Sequence, residues 1–143
     1  MAAQAVTALQ TIASRNADPI DQVVVSVTTF ETSSNAFNVI PQKVHLKGTV
    51  RTMSKEMRAL AETRIEEICS GIATTFGGSV VVDYHRGYPV MVNTEDQTAF
   101  AAEVAKKVSG QCDDAPMGRG GVGFAFMPEE RRGACYPRPV NQS

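Results

Sequence analysis

The sequence has no tryptophan, only three cysteines and no long apolar run. No stretch approaches the roughly 18 residues that a membrane-spanning helix requires, so no transmembrane segment is predicted. Three cysteines at unrelated spacings favour neither a disulfide framework nor a zinc knuckle. The first residues lack the basic cluster and the apolar stretch of a secretory signal. We therefore expect a cytoplasmic protein with reduced thiols.

An excess of charge of either sign is also missing. The 14 Lys and Arg residues nearly balance the 15 Asp and Glu residues, which gives a formal net charge of -1. Proteins that bind nucleic acids or membrane surfaces usually carry a basic patch, so neither partner is expected. At 143 residues, 43% of them hydrophobic, the chain has the size of one domain with its own core.

Several segments have the pattern of β-strands. Residues 23–30 are rich in β-branched side chains, and residues 43–52 alternate between apolar and polar positions. The apolar positions are Val44, Leu46 and Val50, and the polar positions are Lys43, His45, Lys47, Thr49 and Arg51. This alternation is typical of an antiparallel sheet with one buried and one solvated face. A further strand is predicted at residues 79–85, and another is left open near 37–41.

Apolar residues at helical spacing predict two main helices. The first, within residues 2–15, has an apolar face of Ala5, Leu9 and Ile12. The second, within residues 55–76, carries a longer stripe of Met57, Leu60, Ala61, Ile65, Ile68, Cys69, Ile72 and Phe76. Ser54 is suited to cap the second helix, and Gly77-Gly78 is suited to end it. On this stripe Cys69 is interpreted as a small buried hydrophobe.

A third helix is predicted near the end of the patterned part of the chain. Thr94-Glu95-Asp96-Gln97 resembles a capping box, and the helix after it is expected to turn Phe100, Val104 and Val108 inward. Residues 110–143 are expected to form an irregular, flexible tail. The order of elements predicts an α+β two-layer sandwich, with the two main helices on one face of the sheet.

Three short motifs occur in a fixed order along the chain. They are Asn38-Val39-Ile40-Pro41, Gly48-Thr49-Val50-Arg51-Thr52 and Arg86-Gly87-Tyr88-Pro89. Together they resemble the lid and dimerisation domain of the two-domain zinc amidohydrolases of the aminoacylase, hippurate hydrolase and carboxypeptidase (metallopeptidase) family. The resemblance implies a four-stranded antiparallel sheet, a homodimer formed through a sheet edge and helices, and a lid over a zinc site.

The same resemblance divides the chain into three parts. Residues 1–92 correspond to the lid and dimerisation domain, residues 93–109 to a helix of the return towards the catalytic domain, and residues 110–143 to the tail. The family's zinc ligands and general-base glutamate are not found, and the resemblance to the lid begins directly after Met1. We therefore expect a truncated fragment with no cofactor and no metal site, unable to run dinuclear zinc chemistry alone.

Six residues are candidates for a functional site. By resemblance, Asn38 is a substrate-contacting position, and Arg86 and Tyr88 are further candidates, Arg86 as a grip for a carboxylate. Catalytic candidates are His85, His45 and Asp83. Asp83 precedes His85 by two residues, so both lie on one face of the predicted strand, where a carboxylate can orient an imidazole. For both histidines an ordinary surface residue is the favoured interpretation.

Two functions from different classes remain open at this point. The first is a stand-alone lid that dimerises and performs no chemistry. The second is a small hydrolase of activated esters or phosphoesters, including phosphotriesters, with a newly acquired site in the lid dimer. A third possibility is that the sequence is a domain cut from a longer amidohydrolase.

Overall fold

The computed structural model describes residues 1–18, 20–113, 123–130 and 135–136, and it separates into two compact units, Met1–His85 and Arg86–Ser143. The first unit contains helix α1 (Ala2–Leu9), a π-helical turn (Ile12–Asn16), strand β1 (Val23–Thr32), strand β2 (Val44–Thr52) and helix α2 (Lys55–Thr75). The second contains helix α3 (Glu95–Ser109), a 3₁₀ turn (Gly123–Phe126) and a short helix α4 (Met127–Glu130). The secondary structure is therefore α+β, as predicted.

Strands β1 and β2 form an antiparallel hairpin in which Val25 lies opposite Val50. The register shifts between Val27 and Thr29, so the strand carries a β-bulge at the residue between them. Val44, Leu46 and Val50 are half-buried, whereas the polar positions between them are exposed, which confirms the predicted alternation.

The sheet that the described residues form has two strands, where four were expected. Residues 79–85 contain no strand, and residues 37–41 form a turn and bends instead. Local alternation of side chains predicts an extended backbone, but a strand also needs a neighbour with which to exchange hydrogen bonds. That neighbour cannot be read from the segment itself.

The core of the first unit lies between the hairpin and the helices. Its buried cluster consists of Leu9, Ile12, Val25 and Ala61, with Val50 among the half-buried residues packed against it. Ile12 is fully buried, and Ala5 and Leu9 are also buried, so the predicted inner face of the first helix is confirmed. The helices therefore cover the face of the hairpin that carries Val25 and Val50. The polar side chains of β2 lie on the other face, which is exposed.

Helix α2 begins and ends where the sequence predicts. The hydroxyl oxygen of Ser54 accepts a hydrogen bond from the Met57 N–H at 3.1 Å, which satisfies one of the free donors of the first turn. Gly77 ends the helix with φ of 66°, a conformation that glycine adopts without steric cost. In the described part of the chain, neither α2 nor a shorter helix combines the length and apolar character of a membrane span.

Helix α3 is present, but two predictions about it are wrong. Its N-cap Thr94 makes no side-chain capping bond, so the predicted capping box does not form. Phe100, Val104 and Val108 are exposed at 69%, 42% and 82%, rather than turned into a core. The apolar periodicity correctly predicts a helix. It does not predict burial, because the helix sequence does not say which other element would cover its apolar face.

Gly48 is the residue that lets the two strands approach at the bulge. A Cβ atom built on Gly48 would lie 2.5 Å from the carbonyl oxygen of Ser26, closer than side chains approach backbone oxygens. The close approach of the two strands therefore explains why a residue without a side chain begins the second sequence motif.

Candidate functional site

Asp83 and His85 form an acid–imidazole pair. The Nε2 atom of His85 lies 3.2 Å from Oδ2 of Asp83, as expected for two residues on one face of an extended segment. Their side chains are 79% and 87% exposed, so water competes for both partners and the pair adds little to stability. The carboxylate can still orient the imidazole. The catalytic role of the pair stays a prediction.

His45 lies on the solvated face of β2, and its cross-strand neighbour is Glu31 of β1. Directly opposite residues of an antiparallel pair have their side chains on the same face, so a second carboxylate accompanies a second imidazole. The sequence analysis did not single out Glu31, because the hairpin register decides this pairing and the bulge shifts that register by one residue.

Asn38 lies in the loop that joins β1 to β2. The loop is closed at its base by the Ser33 N–H, which donates to the Lys43 carbonyl at 2.9 Å, and the Lys43 N–H donates back to the Ser33 hydroxyl at 3.2 Å. Its other side chains include Phe37 and Ile40, which are almost completely exposed. Two exposed apolar side chains therefore lie on either side of Asn38 along the chain.

Arg86 and Tyr88 belong to the second unit. The ring of Tyr88 meets the ring of Phe126 edge to face, with centroids 5.7 Å apart. The side-chain amide of Asn93 makes two hydrogen bonds with the backbone of Tyr136. Its Oδ1 accepts from the Tyr136 N–H at 2.9 Å, and its Nδ2 donates to the Tyr136 carbonyl at 3.5 Å. The described tail residues therefore contact the segment around the third motif.

Burial changes the chemistry of one thiol. The Cys69 side chain is half-buried against the core of the first unit, and burial raises the pKa of its thiol. A raised pKa keeps the group protonated and unreactive, as expected for a structural cysteine. This placement agrees with the interpretation of Cys69 as a small hydrophobe.

Comparison with known proteins identifies relatives of one class. No family model matches the chain. It is 38% identical over 112 residues to N-acetyldiaminopimelate deacetylase of Brevibacillus brevis, covering 78% of this chain and 29% of that protein. It is 39% identical over 106 residues to hippurate hydrolase of Campylobacter jejuni, covering 74% and 27%. The crystal structure of a protein assigned as an aminohydrolase from methicillin-resistant Staphylococcus aureus matches with a TM-score of 0.77 and 29% identity, covering 92% and 34%.

These relatives are amidohydrolases, and the resemblance seen in the three motifs is thereby confirmed. The chain belongs to the amidohydrolase family of aminoacylases, hippurate hydrolases and carboxypeptidases. It spans about a third of the length of the relatives it matches.

A zinc site of the kind that the sequence resemblance implies needs at least three ligands close together. Within the described ranges, no group of three or more His, Cys, Asp or Glu side chains is arranged to hold a metal ion. The paired Asp83 and His85 are two potential ligands without a third.

Proposed function

We propose that this chain is the lid and dimerisation part of an amidohydrolase and that it forms a homodimer through the outer edge of β1. The observation that carries the proposal is the character of that edge. β1 is ten residues long, and its only charged residue is Glu31 near its end. Exposed strand edges are usually protected by charge, proline, short length or a bulge; β1 has the bulge and one charge but is long and has no proline, so most of its edge favours pairing with another strand.

A twofold axis gives this pairing its geometry. Two copies of β1 related by such an axis run antiparallel and extend the sheet from one subunit into the next. The helices then lie on the same side of the joined sheet, where they add to the interface. Such an interface is self-complementary: where a residue i of one copy meets a residue j of the other, residue j of the first copy meets residue i of the second.

We also propose that each subunit completes a four-stranded antiparallel sheet, to which residues 79–85 contribute one strand. The support is the burial pattern of this segment, because Val82 and Tyr84 are half-buried whereas Val81, Asp83 and His85 are exposed. This alternation has the period of a strand.

The β1–β2 loop is the proposed contact with the rest of the amidohydrolase. Phe37 and Ile40 are exposed at 103% and 93%, and Asn38 lies between them. In this proposal the apolar pair docks on a neighbouring domain and Asn38 reaches the substrate, whose class in the whole enzyme is an N-acyl amino acid. We further propose a cytoplasmic location, supported by the free thiols of Cys69, Cys112 and Cys135.

The dimer is tested by a pair of variants on the two strands of one hairpin. Ser26 and Thr49 lie directly opposite each other and share the solvated face, but Ser26 is on β1 and Thr49 on β2. Near the twofold axis, Ser26→Lys places two like charges close together, which destabilises pairing. We expect light scattering to show more monomer for Ser26→Lys and an unchanged dimer for Thr49→Lys. An equal effect of both substitutions would contradict the use of the β1 edge.

A second candidate function is the hydrolysis of activated esters or phosphoesters. The Asp83–His85 pair is the observation that favours it, because an oriented imidazole can act as a general base. We expect His85→Ala to reduce turnover of a p-nitrophenyl ester or a phosphotriester, with and without chelator, while the circular dichroism spectrum is unchanged. His45→Ala tests the second imidazole in the same assay. Unchanged rates in both variants would remove the histidines from any mechanism.

A further inference from the structure

Three cations and one imidazole form a row on the solvated face of β2. The row consists of Lys43, His45, Lys47 and Arg51, all of them exposed. Strand residues two positions apart lie on the same face about 7 Å from each other, and Lys43 continues this alternation directly before the strand. We call these four residues the cationic row; from Lys43 to Arg51 it extends over about 27 Å.

Strand β1 offers little negative charge opposite the cationic row. The hairpin register places Thr29 opposite Lys47, so a hydroxyl rather than a carboxylate is the cross-strand neighbour of this ammonium group. Glu31, opposite His45, is the only acidic residue of β1. The row therefore keeps a positive charge along most of its length.

The charge balance of the whole chain conceals this local excess. The formal net charge is -1, which by itself predicts no affinity for polyanions. Helix α2, packed on the other face of the hairpin, carries four glutamates against three basic residues. Part of the negative charge of the first unit is thus separated from the cationic row by the hydrophobic core.

We propose that the cationic row binds a linear polyphosphate chain laid along β2. Exposed ion pairs are individually weak, because water and salt screen them, so exposed cations hold a ligand only through several contacts made at once. A linear polyanion with closely spaced charges makes such contacts along the whole row. A single phosphate reaches only one or two of the cations.

The other side chains of this face distinguish polyphosphate from other polyanions. Ser26, Thr29 and Thr49 share the face, and their hydroxyls can donate hydrogen bonds to phosphate oxygens. Within the described hairpin, neither strand places a phenyl, phenol or indole ring there. Single-stranded nucleic acids are bound largely by stacking of bases on such rings, and membranes by insertion of large apolar side chains. The face therefore favours a polyanion without bases or acyl chains.

Fluorescence anisotropy with a labelled polyphosphate long enough to span the row tests binding. We expect an affinity that falls steeply as salt is added, because association with a linear polyanion releases counterions. Unlabelled polyphosphate should displace the probe, whereas tripolyphosphate at the same phosphate concentration should displace much less, since it spans only part of the row. Equally effective displacement by tripolyphosphate, by an oligodeoxythymidine or by phosphatidylserine vesicles would overturn the proposal.

Single substitutions test the position of the bound chain. Lys47→Gln should weaken binding about threefold and lower the salt dependence by about one counterion. Lys106→Gln removes the same charge from an exposed position of α3 and should leave both quantities unchanged. Equal effects of these two substitutions would show that only net charge matters and would overturn the proposal.

A gain of affinity provides the converse test. Thr49 occupies the gap in the cationic row between Lys47 and Arg51, so Thr49→Lys should tighten polyphosphate binding about threefold. An unchanged or weaker affinity would contradict a chain laid along β2. Light scattering on the same samples reports the homodimer separately, so either proposal can fail alone.

Discussion

Substitution of Gly48 by alanine is expected to destabilise the first unit. The new Cβ would lie 2.5 Å from the Ser26 carbonyl oxygen, whereas such atoms are essentially never closer than 3.0 Å. The strands must therefore separate by about half an ångström beside the bulge. Because Gly48 and Ser26 both belong to the hydrogen-bonded ladder of the hairpin, this separation strains the ladder. Overpacking of this kind costs about 1–3 kcal/mol, and we expect roughly 2 kcal/mol for Gly48→Ala.

Gly71→Ala provides the matched control for this prediction. Gly71 lies within α2, and an added Cβ there meets nothing within 4 Å. Alanine should therefore stabilise the helix by roughly 0.5–1 kcal/mol through its higher helix propensity. The assay is urea unfolding followed by circular dichroism at one protein concentration, because dimerisation makes stability concentration-dependent. If the two substitutions changed the free energy of unfolding by the same sign and amount, the steric argument would be refuted.

Three further predictions concern the core, a helix end and a thiol. Ile12→Ala should lower the free energy of unfolding by about 2–5 kcal/mol, whereas the same change at Ile20, 91% exposed, should cost less than about 0.5 kcal/mol. Ser54→Ala should cost about 1 kcal/mol in the same urea assay, since it leaves the Met57 N–H without its cap. Cys69 should react with iodoacetamide more slowly in folded than in urea-unfolded protein near pH 8, because its pKa is raised; equal rates, measured by peptide mass spectrometry, would contradict its burial.

The elements whose signals are local were predictable from the sequence. α2 was expected over residues 55–76 and is found at Lys55–Thr75, because Ser54, the apolar stripe and Gly77 all specify the same bounds. The strand predicted at 43–52 is found at Val44–Thr52. In each case side-chain periodicity and terminal residues agree, and nothing distant is needed to define the element.

Features that depend on a distant partner were not predictable. Residues 79–85 have the composition of a strand but no ladder, because pairing depends on a neighbour elsewhere. The face of Phe100 on α3 was expected to be buried, yet burial depends on the element that covers it.

The candidate site divides in the same way. Asp83 and His85 were expected on one face because they are two residues apart, and their side chains meet. Glu31 was missed beside His45, because the bulge in β1 sets their register. A pattern within one segment thus predicts a local pair, whereas a pair across two segments requires the fold.

The molar mass of the unsubstituted protein in solution tests the central claim most directly. The chain has a mass of 15.3 kDa, so a homodimer has about twice that mass. We expect light scattering across a dilution series to show the doubled mass at high concentration, with dissociation only on dilution. A mass of one chain at every concentration would contradict the account of this chain as a dimerisation domain.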